Sequence, residues 1–265
     1  MGSDTLKGQD GDDSLRGNND SDLLQGGNDN DLLYGDGGND RFFGNDGSDL
    51  IFGGTGNDTA SGGVGRDTLK GQDGSDSLFG SNDNDLLQGG NDDDWLYGQN
   101  GNDFFYGDAG TDLLSGGNNN DSLFGGIDDD TLQGDGGNDV LNGQNNDDLI
   151  SGGLGDDTLA GGAGADRFMF ENSESGIDAI ADFEVERDLL VFLASGFAGV
   201  DAVGMLESQM FGLGTTATSN EHRFVYDSAS GDLFYDSDGV GITEPVQLAQ
   251  LEAGLALSSN SFEVI

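Results

Sequence analysis

Apolar residues recur in the first part of the chain with a period of nine. From Leu6 to Phe168 every ninth residue is apolar, and nearly every one lies two positions after an Asp and two before a Gly. An amphipathic helix has a period of 3.6 and a half-buried strand a period of two, so neither alone explains this spacing. A longer fixed period predicts stacked repeats whose apolar residues form one continuous core.

Each nine-residue unit divides into a strand-like part and a turn-like part. The three residues centred on the apolar position predict a short strand with the central side chain pointing inward. The other six are rich in Gly, Asp and Asn, which tolerate left-handed backbone conformations, so we expect them to form a turn and not the interior of a strand. The chain is therefore predicted to be all-β over these repeats.

Asp occupies one fixed position of the unit nineteen times in succession, from Asp4 to Asp166. Stacking would bring these carboxylates about 4.8 Å apart, which is strongly repulsive without a cation. Carboxylate and backbone carbonyl oxygens suit Ca²⁺, whereas Mg²⁺ demands stricter octahedral geometry. Zinc and copper favour His or Cys, and the repeats contain neither. We therefore expect multiple Ca²⁺ ions as cofactors.

Four units carry the full pattern G-G-x-G-x-D-x-U-x, where U is apolar, beginning at residues 53, 62, 152 and 161. This pattern resembles the RTX, or haemolysin-type, calcium-binding repeat. The resemblance implies a right-handed parallel β-roll, a solenoid with two nonapeptides per turn. It also implies that calcium lies between turn n and turn n+2, held by Asp carboxylates and turn carbonyls. We expect the β-roll over 1–166 and a small β-rich C-terminal cap, which also carries the secretion signal, over 167–265.

The turns differ in how closely they match the pattern, and this ranks the predicted calcium sites. The unbroken run of matching turns favours Asp40 with Asp58, Asp49 with Asp67, and Asp58 with Asp76, and a fourth site pairs Asp139 with Asp157. The turn glycines assigned to these sites are Gly54, Gly56, Gly63, Gly65, Gly153 and Gly155. The remaining predicted ligands are Asp13, Asp22, Asp31, Asp85, Asp94, Asp103, Asp112, Asp121, Asp130, Asp148 and Asp166.

Seven turns carry Asp or Asn in place of the fourth-position Gly. These turns either bind calcium with the same backbone shape or are substitutions that are merely tolerated, and the sequence leaves both interpretations open. The residues concerned are Asp20, Asp29, Asp83, Asp92, Asn119, Asp128 and Asn146.

Aromatic residues occupy many outward positions of the predicted strands, including Tyr34, Phe52, Phe79 and Trp95. They could form a surface for a glycan or another extracellular partner. Because they divide between both faces, lateral packing along the sheets is the favoured interpretation.

The C-terminal part alternates like half-buried strands, and residues 223–226 and 233–235 predict a β-hairpin. The segment 243–245 predicts the start of a short helix over 246–253. Residues 236–239 fit either another calcium turn or a plain solvated turn. The tail, Ser261-Phe262-Glu263-Val264-Ile265, resembles the uncleaved C-terminal signal of type I secretion.

Charge and composition restrict the function. With 52 acidic and 8 basic residues the net charge is −44, which argues against nucleic-acid binding because phosphate would be repelled. No apolar run is long enough to span a membrane, and no Sec-type signal stands at the N-terminus. The single His, His222, gives no basis for a catalytic site, so we expect no enzyme activity.

We expect a secreted, extracellular calcium-binding protein that is exported by type I secretion machinery and folds on binding Ca²⁺. The alternatives are an extracellular structural or adhesive protein, or the C-terminal fragment of a larger RTX toxin or hydrolase.

Overall fold

A computed structural model describes residues 2–265, and its repeat region is a stack of parallel strands, one from each nonapeptide. The strands of this region are β1 Thr5–Asp10, β2 Ser14–Asn18, β3 Leu23–Asn28, β4 Leu32–Gly37, β5 Arg41–Asp46, β6 Leu50–Thr55, β7 Thr59–Val64, β8 Thr68–Asp73, β9 Ser77–Asn82, β10 Leu86–Asn91, β11 Trp95–Asn100, β12 Phe104–Ala109, β13 Leu113–Asn118, β14 Ser122–Ile127, β15 Thr131–Gly136, β16 Val140–Asn145, β17 Leu149–Ser151, β18 Thr158–Ala163 and β19 Arg167–Phe170.

Alternate strands belong to opposite sheets, so two nonapeptides complete one turn of the solenoid. The odd-numbered strands β1 to β19 form one parallel sheet, and the even-numbered strands β2 to β18 form the other. Each strand pairs with the strand two units away, as Ile51 of β6 pairs with Leu69 of β8. The predicted all-β parallel β-roll is confirmed.

The repeat strands are longer than the sequence predicts. Most span six residues and not three, because the pairing continues into the turn half of the unit. Gly54, for example, pairs with Asp36 although it has a φ of 116°. The expectation that the Gly/Asp half would lie outside the strands was wrong, since neighbouring coils supply hydrogen-bond partners for its backbone.

The apolar position of each unit builds the core. Its side chains point between the two sheets and are almost fully buried from Leu24 to Phe168, whereas Leu6 and Leu15 in the first coil are only partly buried. Burying one Leu contributes roughly 1.5–3 kcal/mol, so the stack is stable only when many coils add their share.

The C-terminal part continues both sheets. Its elements are β20 Asp178–Ile180, β21 Leu189–Phe192, a 3₁₀ turn at Ala194–Gly196, β22 Gly204–Met205, a second 3₁₀ turn at Ser208–Met210, β23 Phe211–Leu213, β24 Phe224–Asp227, β25 Asp232–Tyr235, β26 Val246–Gln250, a third 3₁₀ turn at Ser259–Ser261 and β27 Phe262–Val264. Strand β20 pairs in parallel with β18, and β21 with β19. A cluster of aromatic side chains, among them Phe192, Phe197 and Phe224, closes the end of the core.

The hairpin predicted in this part is present as the antiparallel pair β24 and β25. The helix predicted over 246–253 was wrong, because this segment contains strand β26. Strand β26 pairs with β25 on one side and with β20 on the other, so its backbone groups bond to two neighbours and not within a helix. Among the described residues, no helix is long and apolar enough to cross a membrane.

The outward aromatic residues stack along the sheets. Tyr34 lies parallel to Phe52 with 5.1 Å between ring centroids, and Phe79 lies parallel to Tyr97 at 5.3 Å. This arrangement agrees with lateral packing on both faces, although Trp95 keeps 56% of its surface exposed.

Candidate metal centre

The register Asp residues lie at the point where each turn enters a strand. Asp49, for example, immediately precedes β6, and the amide of Leu50 donates to the carbonyl oxygen of Asp31 in the preceding coil at 2.9 Å. The same hydrogen bond recurs between successive coils, so each register Asp occupies an equivalent position in its own coil. Their side chains are buried from Asp22 to Asp166, Asp58 being 2% exposed.

From Asp22 to Asp166, the carboxylate of each register Asp reaches back over the turn two units earlier. The amide of Asp40 donates to Oδ1 of Asp58 at 2.7 Å, the amide of Asp49 to Oδ1 of Asp67 at 2.8 Å, and the amide of Asp58 to Oδ1 of Asp76 at 2.7 Å. The structure therefore brings together the pairs that the sequence predicts, including Asp139 with Asp157 at 2.8 Å. The sequence did not reveal that one carboxylate oxygen is already occupied by an amide.

The second carboxylate oxygen has no such partner. Oδ2 is buried without a hydrogen bond in seventeen successive register Asp residues, from Asp13 to Asp157. Burying a charged oxygen without compensation is strongly unfavourable, and buried polar groups normally find partners. A row of such atoms along each edge of the solenoid is a donor set that a cation would complete.

Backbone carbonyl oxygens supply further oxygen atoms at the same edge. The carbonyl oxygen of Asp36 faces the α-carbon of Gly54 in the next coil, and that of Gly38 faces Gly56. The approach is so close that a β-carbon at either glycine would collide with the carbonyl oxygen. Gly56 has a φ of 115°, which L-residues rarely adopt. The turn thus needs glycine both for its backbone shape and for the close approach of a carbonyl. The donors are all oxygen, which fits Ca²⁺.

The electrostatics of the register Asp residues favour proton or cation binding. Burial raises the pKa of Asp58 to about 7, against the lowering effect of the Asp40 amide, and neighbouring carboxylates raise it further. The same causes raise the pKa of Asp85 and of Asp94 to about 8. These carboxyls therefore bind protons more tightly than an exposed Asp does, and a bound cation would favour their ionised form.

The seven variant turns keep the left-handed backbone. Asp83 has a φ of 73° and Asn119 a φ of 78°. In three of these turns the extra carboxylate accepts an amide hydrogen bond from the preceding coil: from Gly2 to Asp20 at 2.8 Å, from Gly11 to Asp29 at 3.2 Å and from Gly65 to Asp83 at 3.2 Å. The structure shows that the turn shape is kept, and calcium binding by these turns stays a prediction.

No group of three or more His, Cys, Asp or Glu side chains gathers in metal-binding geometry within residues 2–265. The candidate sites are instead built from one or two carboxylates and turn carbonyls. The first register Asp residues differ from the rest, since Asp4 is exposed and Asp13 only half-buried. The glycines predicted as ligands belong to these same turns, in contact with carbonyls of the neighbouring coil.

Sequence reasoning missed Asp178 and Asp188, which continue the Asp series in the C-terminal part. The amide of Asp157 donates to Oδ1 of Asp178 at 3.2 Å, and the amide of Asp166 donates to Oδ1 of Asp188 at 3.0 Å. The signal for Asp178 was the tripeptide Gly176-Ile177-Asp178 followed by the apolar Ile180, displaced by three residues from the nine-residue spacing.

The loop at 236–239 is closed by its own backbone. Oδ1 of Asp236 accepts from the amides of Asp238 and Gly239 at 3.1 and 2.8 Å, and Oδ2 of Asp238 accepts from the amide of Ile242 at 3.0 Å. Oδ1 of Asp238, in contrast, is buried without a hydrogen-bond partner, so the structure leaves both interpretations of this loop open.

Comparison with known proteins agrees with this geometry. The model of the RTX calcium-binding nonapeptide repeat, which holds four copies of the unit, matches six overlapping or adjoining segments: 1–33, 16–51, 52–87, 79–114, 115–150 and 142–171. A search of curated proteins found no match to the chain. Because the family model covers more than half of the chain, and the chain folds as the stacked β-roll that its repeats predict, the protein belongs to the RTX calcium-binding repeat family.

Proposed function

We propose that this protein is a secreted module that binds several Ca²⁺ ions along both edges of its β-roll and folds when it meets extracellular calcium. The observation that carries this proposal is the run of seventeen buried Oδ2 atoms without hydrogen-bond partners. Ions bound between coils would give these oxygens a partner and offset a net charge of −44.

The best sites are those between Asp40 and Asp58, Asp49 and Asp67, and Asp58 and Asp76. In each pair the later carboxylate already lies over the earlier turn. An ion there would be held by carboxylate oxygens and by turn carbonyls such as that of Gly38. The fourth site, Asp139 with Asp157, has the same amide-to-carboxylate contact.

At a low calcium concentration no ion offsets the charge of these carboxylates. Their mutual repulsion then favours the unfolded chain. Extracellular modules bind Ca²⁺ with dissociation constants of roughly 10⁻⁴–10⁻³ M. Binding energy that exists only in the folded state acts as folding energy. The chain would therefore stay unfolded inside the cell and fold outside it.

The C-terminal tail supports export before folding. Strand β27 lies in the sheet beside β21, with Phe262 fully buried and Val264 1% exposed. A secretion signal at 261–265 would be readable only while the chain is unfolded. This fits type I secretion of a calcium-free chain.

No enzyme activity is proposed. Repeats of this family are generally structural and not catalytic. His222 contacts the Thr218 amide through Nδ1 at 3.4 Å, in an exposed loop away from the repeats.

Circular dichroism of the full chain during a calcium titration tests the proposal, with Mg²⁺ at equal concentration as the control. The expected result is a cooperative gain of β-structure at a calcium concentration on the order of millimolar and little response to Mg²⁺. A chain that shows the same spectrum with and without millimolar calcium would refute it.

A further inference from the structure

Trp95 differs from the other aromatic residues on the outer faces of the sheets. Tyr34 and Phe52 cover each other by stacking, and so do Phe79 and Tyr97. Trp95 is the only Trp of the chain, keeps 56% of its surface exposed, and stacks on no other ring in the part of the chain that the structure describes. Lateral packing along the sheet therefore does not account for this residue.

The neighbour of Trp95 in the sheet leaves space beside the indole. Trp95 of β11 pairs with Ser77 of β9, whose side chain is short. A cavity of about 350 Å³ lies at this place, and its other lining residues are Ser75, Asp76 and Asp93. Ligand sites typically combine an apolar surface with a few polar groups in this way.

Asp93 brings a negative charge to the cavity. Its side chain is exposed, and its Oδ1 accepts the amide of Thr111 at 2.9 Å. Its Oδ2 forms no hydrogen bond with any described residue, and no Lys or Arg among residues 2–265 forms an ion pair with it. One carboxylate oxygen is therefore available to a ligand.

The chain itself shows which group fits a ring beside a carboxylate. Arg16 pairs across the sheet with Tyr34, and Asp36 follows Tyr34 by two residues. The guanidinium of Arg16 lies 5.7 Å from the centre of the Tyr34 ring and donates to Oδ1 of Asp36 at 2.7 Å. Arg41 likewise lies 5.0 Å from the centre of the Phe43 ring. Aromatic residues on this surface thus hold arginine side chains, as expected for a planar cation over an aromatic face.

At Trp95 the chain supplies no such cation. The position that Arg16 takes relative to Tyr34 is taken, relative to Trp95, by Ser77. Attraction between a cation and an aromatic ring is strongest for Trp. A cation from another molecule would therefore complete at Trp95 the arrangement that the chain completes by itself at Tyr34.

The charge of the protein indicates what kind of molecule brings this cation. With 52 acidic and 8 basic residues, the chain attracts a basic partner over a long range and repels a second copy of itself. A neutral saccharide could lie on the indole, but it would gain nothing from the net charge. The observations therefore favour a basic protein.

We propose that Trp95, Asp93, Ser75 and Ser77 form a docking site for an exposed Arg side chain of a basic partner protein. The guanidinium would lie on the indole and donate to Oδ2 of Asp93, while the two Ser hydroxyls would accept further hydrogen bonds. The site needs the folded β-roll, so it rests on the proposed function and adds a class of partner to it.

Titration of the calcium-loaded full chain with a capped Gly-Arg-Gly peptide, followed by the emission of Trp95, tests the site. No other Trp contributes to this signal. The control is the same peptide with citrulline in place of Arg, because citrulline keeps the shape of the side chain and lacks its charge. We expect a saturable change in emission with the Arg peptide and little change with the citrulline peptide.

The variants Asp93→Asn and Asp129→Asn separate local attraction from the general negative charge. Both residues are exposed and accept one amide hydrogen bond, from Thr111 and from Asp147, but Asp129 precedes β15, which lies two strands from β11 in the same sheet. In Asp93→Asn the affinity for the Arg peptide should fall roughly two- to fivefold. In Asp129→Asn it should stay unchanged at about 0.15 M salt, where screening acts within roughly 8 Å.

The variant Trp95→Leu removes the ring and keeps an apolar residue. Because this variant has no Trp, its affinity is measured by titration calorimetry, alongside the unmodified chain. It should bind the Arg peptide roughly two- to fivefold more weakly. Equal affinity in Trp95→Leu and in the unmodified chain would overturn the proposal.

Other results would overturn it as well. Equal responses to the Arg and citrulline peptides would show that the charge is unimportant, and equal losses in Asp93→Asn and Asp129→Asn would show that the attraction is not local. A larger response of Trp95 to methyl glucoside than to the Arg peptide would identify a glycan surface instead. Circular dichroism of the same samples separates the two proposals. A chain that gains no β-structure from calcium refutes the proposed function, whereas a folded chain whose Trp95 emission does not change refutes the docking site alone.

Discussion

Protons should partly replace calcium in folding the repeats. The perturbation is a shift from pH 8 to pH 5 in protein freed of calcium beforehand. Burial raises the pKa of Asp58, Asp67 and Asp76 to about 7 in the folded chain, above the ordinary value of 3.8. The folded state therefore binds these protons more tightly than the unfolded state, and the stability it gains is greatest below pH 4 and is lost as the pH rises through about 7.

The size of the stabilisation can be worked out for a single residue, Asp58. A pKa difference of one unit corresponds to about 1.4 kcal/mol, so protonating Asp58 between pH 7 and pH 5 is worth about 3 kcal/mol before screening. Solvent near the turn reduces this to the order of 1 to 2 kcal/mol. Many register Asp residues share the direction of the shift, including Asp121 and Asp130 with pKa values of about 8, so their effects act in the same direction as that of Asp58.

Far-ultraviolet circular dichroism of the calcium-free chain between pH 8 and pH 5 measures the effect. We expect β-structure to increase as the pH falls, with sedimentation confirming that the chain has not aggregated on approaching its isoelectric point of 4.1. The same pH change in saturating calcium should weaken folding, because protons then compete with the ion. A calcium-free chain whose spectrum is unchanged down to pH 5 would refute the assignment of the buried carboxyls.

Three further predictions concern single residues. Asp58→Ala should lower the number of Ca²⁺ ions bound in equilibrium dialysis, whereas Asp46→Ala, at an exposed strand end outside the register, should not; equal stoichiometry in both variants would contradict the placement. Gly56→Ala should destabilise the calcium-loaded fold by roughly 1–3 kcal/mol in urea unfolding. Gly11→Ala should cost less because, at a similar positive φ, its β-carbon meets nothing within 4 Å, and an equal loss would show that the carbonyl contact is unimportant. Leu69→Ala removes a fully buried core side chain and should cost roughly 2–5 kcal/mol in the same assay; a loss under about 1 kcal/mol would contradict a continuous core.

The repeats show how far a sequence can define a fold. The nine-residue spacing of Asp, apolar residue and Gly predicts the stacking and the inward side chain, because a solenoid repeats one local structure. The pairing of Asp40 with Asp58 follows from the resemblance to the RTX repeat, which implies two units per turn. The predicted strand length of three residues was wrong, because stacking of the coils, which the spacing does predict, also extends the strands. Isolated Gly and Asp residues favour turns, but in the stack each turn backbone finds a partner in the next coil, as Asp36 does in Gly54.

The C-terminal part was harder to predict, because its strands pair with segments that lie far away in the sequence. The segment at 246–250 has no strong local preference, and it became strand β26 because the edges of β20 and β25 were available on either side. Asp178 escaped notice since three extra residues break the period, although the tertiary structure restores the coil.

The sequence alone determined the all-β solenoid, the register of the Asp residues and the need for a cation, because all three follow from a strictly repeated spacing of apolar and acidic residues. Only the tertiary structure decided which carboxylate oxygen is free. An amide two units away occupies Oδ1 of Asp58 and leaves its Oδ2 without a partner. It also decided where the run of unpartnered Oδ2 atoms ends, which is at Asp157, and beyond it Asp188 accepts amides at both carboxylate oxygens.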